Sequence, residues 1–146
     1  MTSIPEVKLE RDLELQRRLM VAVERAAAQG EPYTIVGCVP QRFPGEDITQ
    51  VIDVCAEYLS GIVRDDDIVG LLDNEILVVG LRETGANAAR VFTFRLQGDL
   101  RLRSQPIRNT VWETAYATMP QDGDSAEELT LAAINGAMNR RRRLGN

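Results

Sequence analysis

The feature that most constrains this chain's fold is a pair of apolar runs meeting at Asp73-Asn74. Ile68-Val-Gly-Leu-Leu72 precedes the pair and Glu75-Ile-Leu-Val-Val-Gly-Leu81 follows it. Asn and Asp tolerate the positive φ that a tight hairpin turn demands, so the spacing predicts a β-hairpin over about residues 67–81. Antiparallel pairing must therefore be part of the sheet.

The flanking sequence supplies the other elements. Residues 9–29 carry Leu9, Leu13, Leu15, Leu19, Val23, Ala26 and Ala27 at helical spacing, and Gly30 stands where a helix stops. Residues 33–39, starting at Tyr33, read as a β-branched strand buried on both faces. Pro40 to Gly45 reads as a loop. Asp47 can cap a second helix reaching about Ile62, with Ile48, Val51, Ile52, Cys55, Leu59 and Ile62 on one face. A third helix is expected over 84–95, with Gly85 a weak point. Alternation of Leu100 and Leu102 with Arg101 and Arg103 suggests an edge strand over 100–107, and 109–119 a better one, with Trp112 and Tyr116 on a core-facing side. Ser125-Ala-Glu-Glu128 reads as a capping box for a last helix reaching about Arg142.

Helices interleaved with an antiparallel hairpin point to an α/β (α+β) sandwich of ferredoxin-like type, with a mainly antiparallel sheet of about five strands flanked by helices. At 146 residues one domain is expected, over 9–146, after a loose tail at 1–8.

Composition narrows the chemistry. The chain has no histidine, which removes His-based acid–base catalysis and most transition-metal sites. All but Lys8 of the 17 basic residues are arginine, leaving almost no candidate for a lysine nucleophile. A net charge of −5 disfavours nucleic acid as main partner. No apolar run is long enough to span a bilayer, and the first residues lack the pattern of a secretory signal, so the cytoplasm is expected. Cys38 and Cys55 read as reduced, buried small hydrophobes, with a disulfide or redox pair as the alternative.

Several segments together resemble the GGDEF (diguanylate cyclase) family. The hairpin matches the family's strand-turn-strand, with Asp73, Asn74, Glu75, Ile76 and Leu77 in the place of Gly-Gly-Asp/Glu-Glu-Phe. Residues 13–36 resemble its first helix and strand, 118–129 its P-x-D-G-x-x-x-E-E-L turn, and 132–146 its closing helix. The resemblance implies a nucleotide-cyclase-type sandwich in bacterial signalling. The departures imply loss of activity. Where catalysts of the family carry a D-x-D-x-F-K-x-x-N-D run for magnesium and guanine, this chain has Gly37-Cys-Val-Pro-Gln-Arg-Phe-Pro-Gly45. Glu75 falls at one metal position without its partner carboxylate, and a hard cation needs carboxylate oxygens. No enzyme activity, metal or cofactor is therefore expected.

Arg64-x-x-Asp67 lies five residues before the signature, at the spacing of the family's inhibitory cyclic di-GMP site. The resemblance implies Arg64 and Asp67, with Arg90 as a second arginine, as a cyclic di-GMP site. The blander reading is a solvated helix-to-strand junction, and about one such Arg–Asp pair is expected by chance in a chain of this composition. Asp65 and Asp66 add charge that opposes an anionic dinucleotide. The functional expectation is a catalytically inactive regulatory module with cyclic di-GMP as its possible ligand. The alternative is a nucleotide-independent interaction or dimerisation module. The Arg140–Arg143 block reads as cations favoured at a helix C-terminus, or as a docking patch for an acidic partner.

Overall fold

In the computed structural model, residues 10–41 and 45–144 are described. The expected tail at 1–8 and parts of the Pro40–Gly45 loop and of the C-terminal motif lie outside them.

The central hairpin forms as expected. β3 (Ile68–Leu72) and β4 (Ile76–Arg82) pair antiparallel, with Leu72 opposite Ile76. Asp73 and Asn74 take φ of 53° and 62°, and Glu75 N–H donates to the Leu72 carbonyl at 3.2 Å. Positive φ at both central residues gives the turn the hand that matches strand twist.

β2 (Tyr33–Pro40) lies between β4 and β5 (Trp112–Met119), antiparallel to both. Every residue of β2 is buried, as its unbroken apolar run predicts. Beyond β3, a two-residue β1 (Glu10–Arg11) adds a parallel pairing at the edge, giving the order β1-β3-β4-β2-β5. Four of the sheet's five strands run antiparallel, and the strand expected over residues 100–107 is not among them. Helix α3 (Ala86–Ser104) runs straight through the first half of that segment. Ala89, Thr93, Leu96, Leu100 and Ser104 are its buried residues, a helical period, whereas Leu102 faces solvent. The local alternation of Leu and Arg imitated a strand, but the longer 3.6-residue period wins because it buries one continuous stripe.

Helices cover both faces. α1 (Asp12–Gln29) and α4 (Ala126–Leu144) pack on one side, over Ile35, Val39, Val78, Ala115 and Ala117. α2 (Thr49–Ile62) and α3 pack on the other, over Val36, Cys38, Leu77, Val79 and Trp112. Alternate residues of each strand supply the two cores. Gly37 permits the close seat of α4 on β2: a Cβ there would lie 3.2 Å from Ile134 N and 3.3 Å from the Ala133 carbonyl carbon.

Helix ends follow their sequence signals. Gly30 closes α1 with φ of 68°. Asp47 Oδ1 accepts from Thr49 N–H at 3.0 Å and its hydroxyl at 2.7 Å, which holds the Asp47 carboxyl below its ordinary range. Ser125 Oγ accepts from Glu128 N–H at 3.1 Å. Three expected core positions are solvent-facing instead: Leu13, Ala27 and Ile62. Leu13 and Ala27 lie off the α1 face set by Leu15, Leu19, Val23 and Ala26, and Ile62 is the last residue of α2.

Candidate functional site

Three places hold the residues singled out by sequence. The first is the sheet end where β2 leaves the core beside the hairpin turn. Asp73 and Asn74 are exposed, Glu75 is half-buried, and Ile76 and Leu77 are core residues. The turn is tied to the start of α1: Arg11 Nη1 donates to Asn74 Oδ1 at 3.4 Å, and Asp73 N–H donates to Asp12 Oδ1 at 3.4 Å. Beside it, Cys38 and Val39 are wholly buried, and burial pushes both the Cys38 and Cys55 thiols up, keeping them protonated. Both cysteines are free. A neutral thiol and a valine are no ligands for magnesium, which selects several oxygen donors. The residues present do not fit the metal that the family resemblance implies. Among the described residues no group of three or more His, Cys, Asp or Glu side chains is placed to hold a metal ion.

The second place is Arg64 and Asp67, which the helix-to-strand junction brings face to face. The Asp67 side chain is only 2% exposed. Its Oδ2 accepts from Arg64 N–H at 2.9 Å and Arg64 Nε at 3.1 Å. Its Oδ1 accepts from Arg64 Nη2 at 3.2 Å and from Arg82 N–H at 3.0 Å. Arg64 Nη2 also donates to the Arg82 carbonyl and, at 3.3 Å, to Thr84 Oγ1. A carboxylate offers about four lone-pair positions, and here all four face donors of the chain itself. The hydrogen bond to Asp67 is the main reason that the Arg64 guanidinium is held above its ordinary range. Asp66 is drawn away to Arg82, at 2.8 Å. The pair thus forms a clasp that pins the start of β3 to the end of β4.

Arg90 is elsewhere. It lines a groove of about 820 Å³ along the outer edge of β5, between α3 and α4, together with Phe94, Gln97, Arg101, Tyr116 and Arg140. Sequence reasoning missed this groove. The signal was present in the helical period of 89–104, which leaves Phe94 and Arg101 outward once Leu96 and Leu100 are placed inside. Taking 100–107 as a strand hid it. Arg140 Nη1 donates to the Thr114 carbonyl at 3.1 Å, so at least one of the C-terminal arginines has a structural task. Nearby Glu113 is buried, and burial raises its carboxyl while the Arg140 charge opposes the shift.

No protein-family model matches the chain, and no curated protein matches it. Solved structures do. The GGDEF domain of DgcB from Caulobacter crescentus in complex with c-di-GMP is 16% identical, covers 99% of this chain and 89% of its own, and superposes with a TM-score of 0.75. The GGDEF domain of TpbB (YfiN) from Pseudomonas aeruginosa is 19% identical over 94% of this chain and 92% of its own, with a TM-score of 0.75. The active GGEEF domain of a diguanylate cyclase from Vibrio cholerae is 15% identical over 93% of each chain, again at 0.75. The chain has the fold of GGDEF domains.

Proposed function

We propose that this chain is a non-catalytic GGDEF-fold module of bacterial signalling that acts in the cytoplasm by recognising another protein. The observation that carries the reading is the sheet end beside the hairpin turn. Buried Cys38 and Val39 stand where a metal-dependent phosphoryl-transfer site needs carboxylates, and such chemistry is almost wholly positioning plus charge stabilisation. The Arg64–Asp67 clasp points the same way, since its carboxylate is already saturated by the chain. Among the described residues no helix is long and apolar enough to cross a membrane. Incubating the purified chain with GTP and magnesium or manganese tests the first half: no cyclic di-GMP is expected by chromatography, and its metal-dependent appearance refutes the reading.

A second reading is a cyclic di-GMP receptor through Arg64, Asp67 and Arg90. It is favoured by the Arg64 guanidinium, whose side chain is 57% exposed, and by a fold shared with domains solved in complex with c-di-GMP. Guanine recognition at Asp67 requires opening part of the clasp, and Arg90 belongs to the β5 groove. Calorimetric titration of cyclic di-GMP decides. Saturable heat with wild type that is lost in Arg64→Ala establishes the receptor. No heat leaves the protein-recognition reading standing.

A further inference from the structure

We propose that the groove along the outer edge of β5 is the docking site for an extended acidic segment of a partner protein. The inference rests on the protein-recognition reading above and names its surface.

Among the described residues β5 pairs only with β2, and no strand lies along its other edge. Along an antiparallel strand, alternate residues aim both backbone groups outward. Three side-chain bonds identify the outward set. Thr114 N–H donates to Gln97 Oε1 at 3.4 Å, the Thr114 carbonyl accepts from Arg140, and Thr118 N–H donates to Asp122 Oδ2 at 2.8 Å. The edge is thereby occupied at Thr114 and at Thr118. Tyr116, midway between them, aims its N–H and C=O the same way, and neither has a partner among the described residues. An incoming chain finds one residue's pair of main-chain bonds there, which is the start of strand addition.

Charge selects the occupant. Arg90, Arg101 and Arg140 line the groove and are exposed, on a chain whose net charge is −5. The one carboxylate in its lining, Asp122, is turned to Thr118 N–H. A second copy of this face would set arginine against arginine, which disfavours self-association here. Spacing excludes a compact anion. Arg90 and Arg101 lie eleven positions apart on α3, three full turns, so they share a helix face but stand about 16 Å apart. A single phosphate cannot reach both. An extended peptide covers that span in about five residues, with side chains alternating between the helix wall and solvent. Phe94, 84% exposed between the two arginines, offers an apolar contact to a residue between the acidic ones.

The test is fluorescence anisotropy on the whole chain with the labelled peptide Ser-Glu-Thr-Phe-Thr-Glu-Ser, whose two acids and the phenylalanine midway share one side of an extended chain. Saturable binding is expected, weakened about tenfold or more by Arg90→Glu combined with Arg101→Glu, both surface changes. Arg17→Glu combined with Arg25→Glu, both exposed on α1 and outside the groove, makes the same change in net charge and is expected to shift affinity less than about twofold. The idea is overturned by no saturation up to ~1 mM peptide, by equal loss in the α1 pair Arg17→Glu with Arg25→Glu, or by equal binding of the lysine counterpart. It is also overturned if inorganic triphosphate or oligothymidylate binds this groove more tightly than the peptide does. Failure of the parent reading would show separately, in the cyclase assay and the cyclic di-GMP titration.

Discussion

Replacing Asp67 by alanine should destabilise the fold by more than replacing Arg64, although the two residues form one ion pair. The asymmetry follows from exposure. Asp67→Ala removes the acceptor for two backbone donors, Arg64 N–H at 2.9 Å and Arg82 N–H at 3.0 Å, at a part-buried junction. Leaving a buried donor unsatisfied costs about 1–3 kcal/mol, so the pair of them sets an expected loss of about 2–4 kcal/mol after partial rehydration. Arg64→Ala leaves both backbone bonds in place. It removes a guanidinium that is mostly in water, and such partly exposed pairs contribute about 0–1 kcal/mol. Its cost should therefore stay below about 1.5 kcal/mol even with some penalty for the less-screened carboxylate. Urea unfolding followed by far-ultraviolet circular dichroism measures both. At an m-value of about 2 kcal/mol per molar urea, Asp67→Ala should lower the midpoint by about 1–2 M and Arg64→Ala by less than about 0.7 M. Equal shifts, or a larger shift for Arg64→Ala, would refute the view that the carboxylate is a backbone clasp rather than a ligand-facing acid.

Other perturbations probe the packing that positions the groove. Gly80→Ala places a Cβ against the Tyr33 hydroxyl and 2.8 Å from Leu19 Cδ2, and overpacking of that kind should cost about 1–3 kcal/mol in thermal unfolding. Ser104→Ala removes the acceptor of the buried Trp112 indole N–H at 2.9 Å and should cost about 1–3 kcal/mol by urea titration; a neutral result would mean the indole finds another partner. Glu113 has its folded-state pKa raised above the ordinary 4.5, so the folded chain binds its proton more tightly than the unfolded one. Its contribution is therefore present below pH 4.5 and lost as pH rises through the raised value. Glu113→Gln should flatten that part of the stability–pH curve, and an unchanged slope contradicts the assignment.

Much of this architecture was legible because its signals were local and redundant. The Asp73-Asn74 turn, the Gly30 stop and the continuous apolar run of β2 each have one physical reading, and the structure realises all three. Where two periods competed over a short window, the reading failed. Leu100-Arg-Leu-Arg103 alternates like a strand, yet Leu96, Leu100 and Ser104 continue the stripe begun at Ala89. Only the longer window separates them. Two helix-end positions failed as well: Leu13 and Ile62 have the right residue type, but Leu13 stands two residues from Leu15, on the far side of α1, and Ile62 is the last residue of α2. The site was harder still. The Arg64-x-x-Asp67 spacing is visible in sequence, whereas the backbone N–H of Arg82 that fills the fourth acceptor position comes from the far strand of the hairpin. The β5 groove joins residues from α3, β5 and α4: the helical period of 89–104 tells which α3 residues face outward, but not which residues of β5 and α4 they meet.

The chain's single tryptophan is wholly buried where α3 meets β5, with its indole N–H held by Ser104, and it forms part of the groove wall. Its emission therefore comes from one known place. Any event that pries the helix from the strand, whether a bound segment or the first step of denaturation, admits water to that ring and shifts its spectrum to the red. The molecule carries its own optical gauge at the spot where partner capture would be felt, and no added dye is needed to read it.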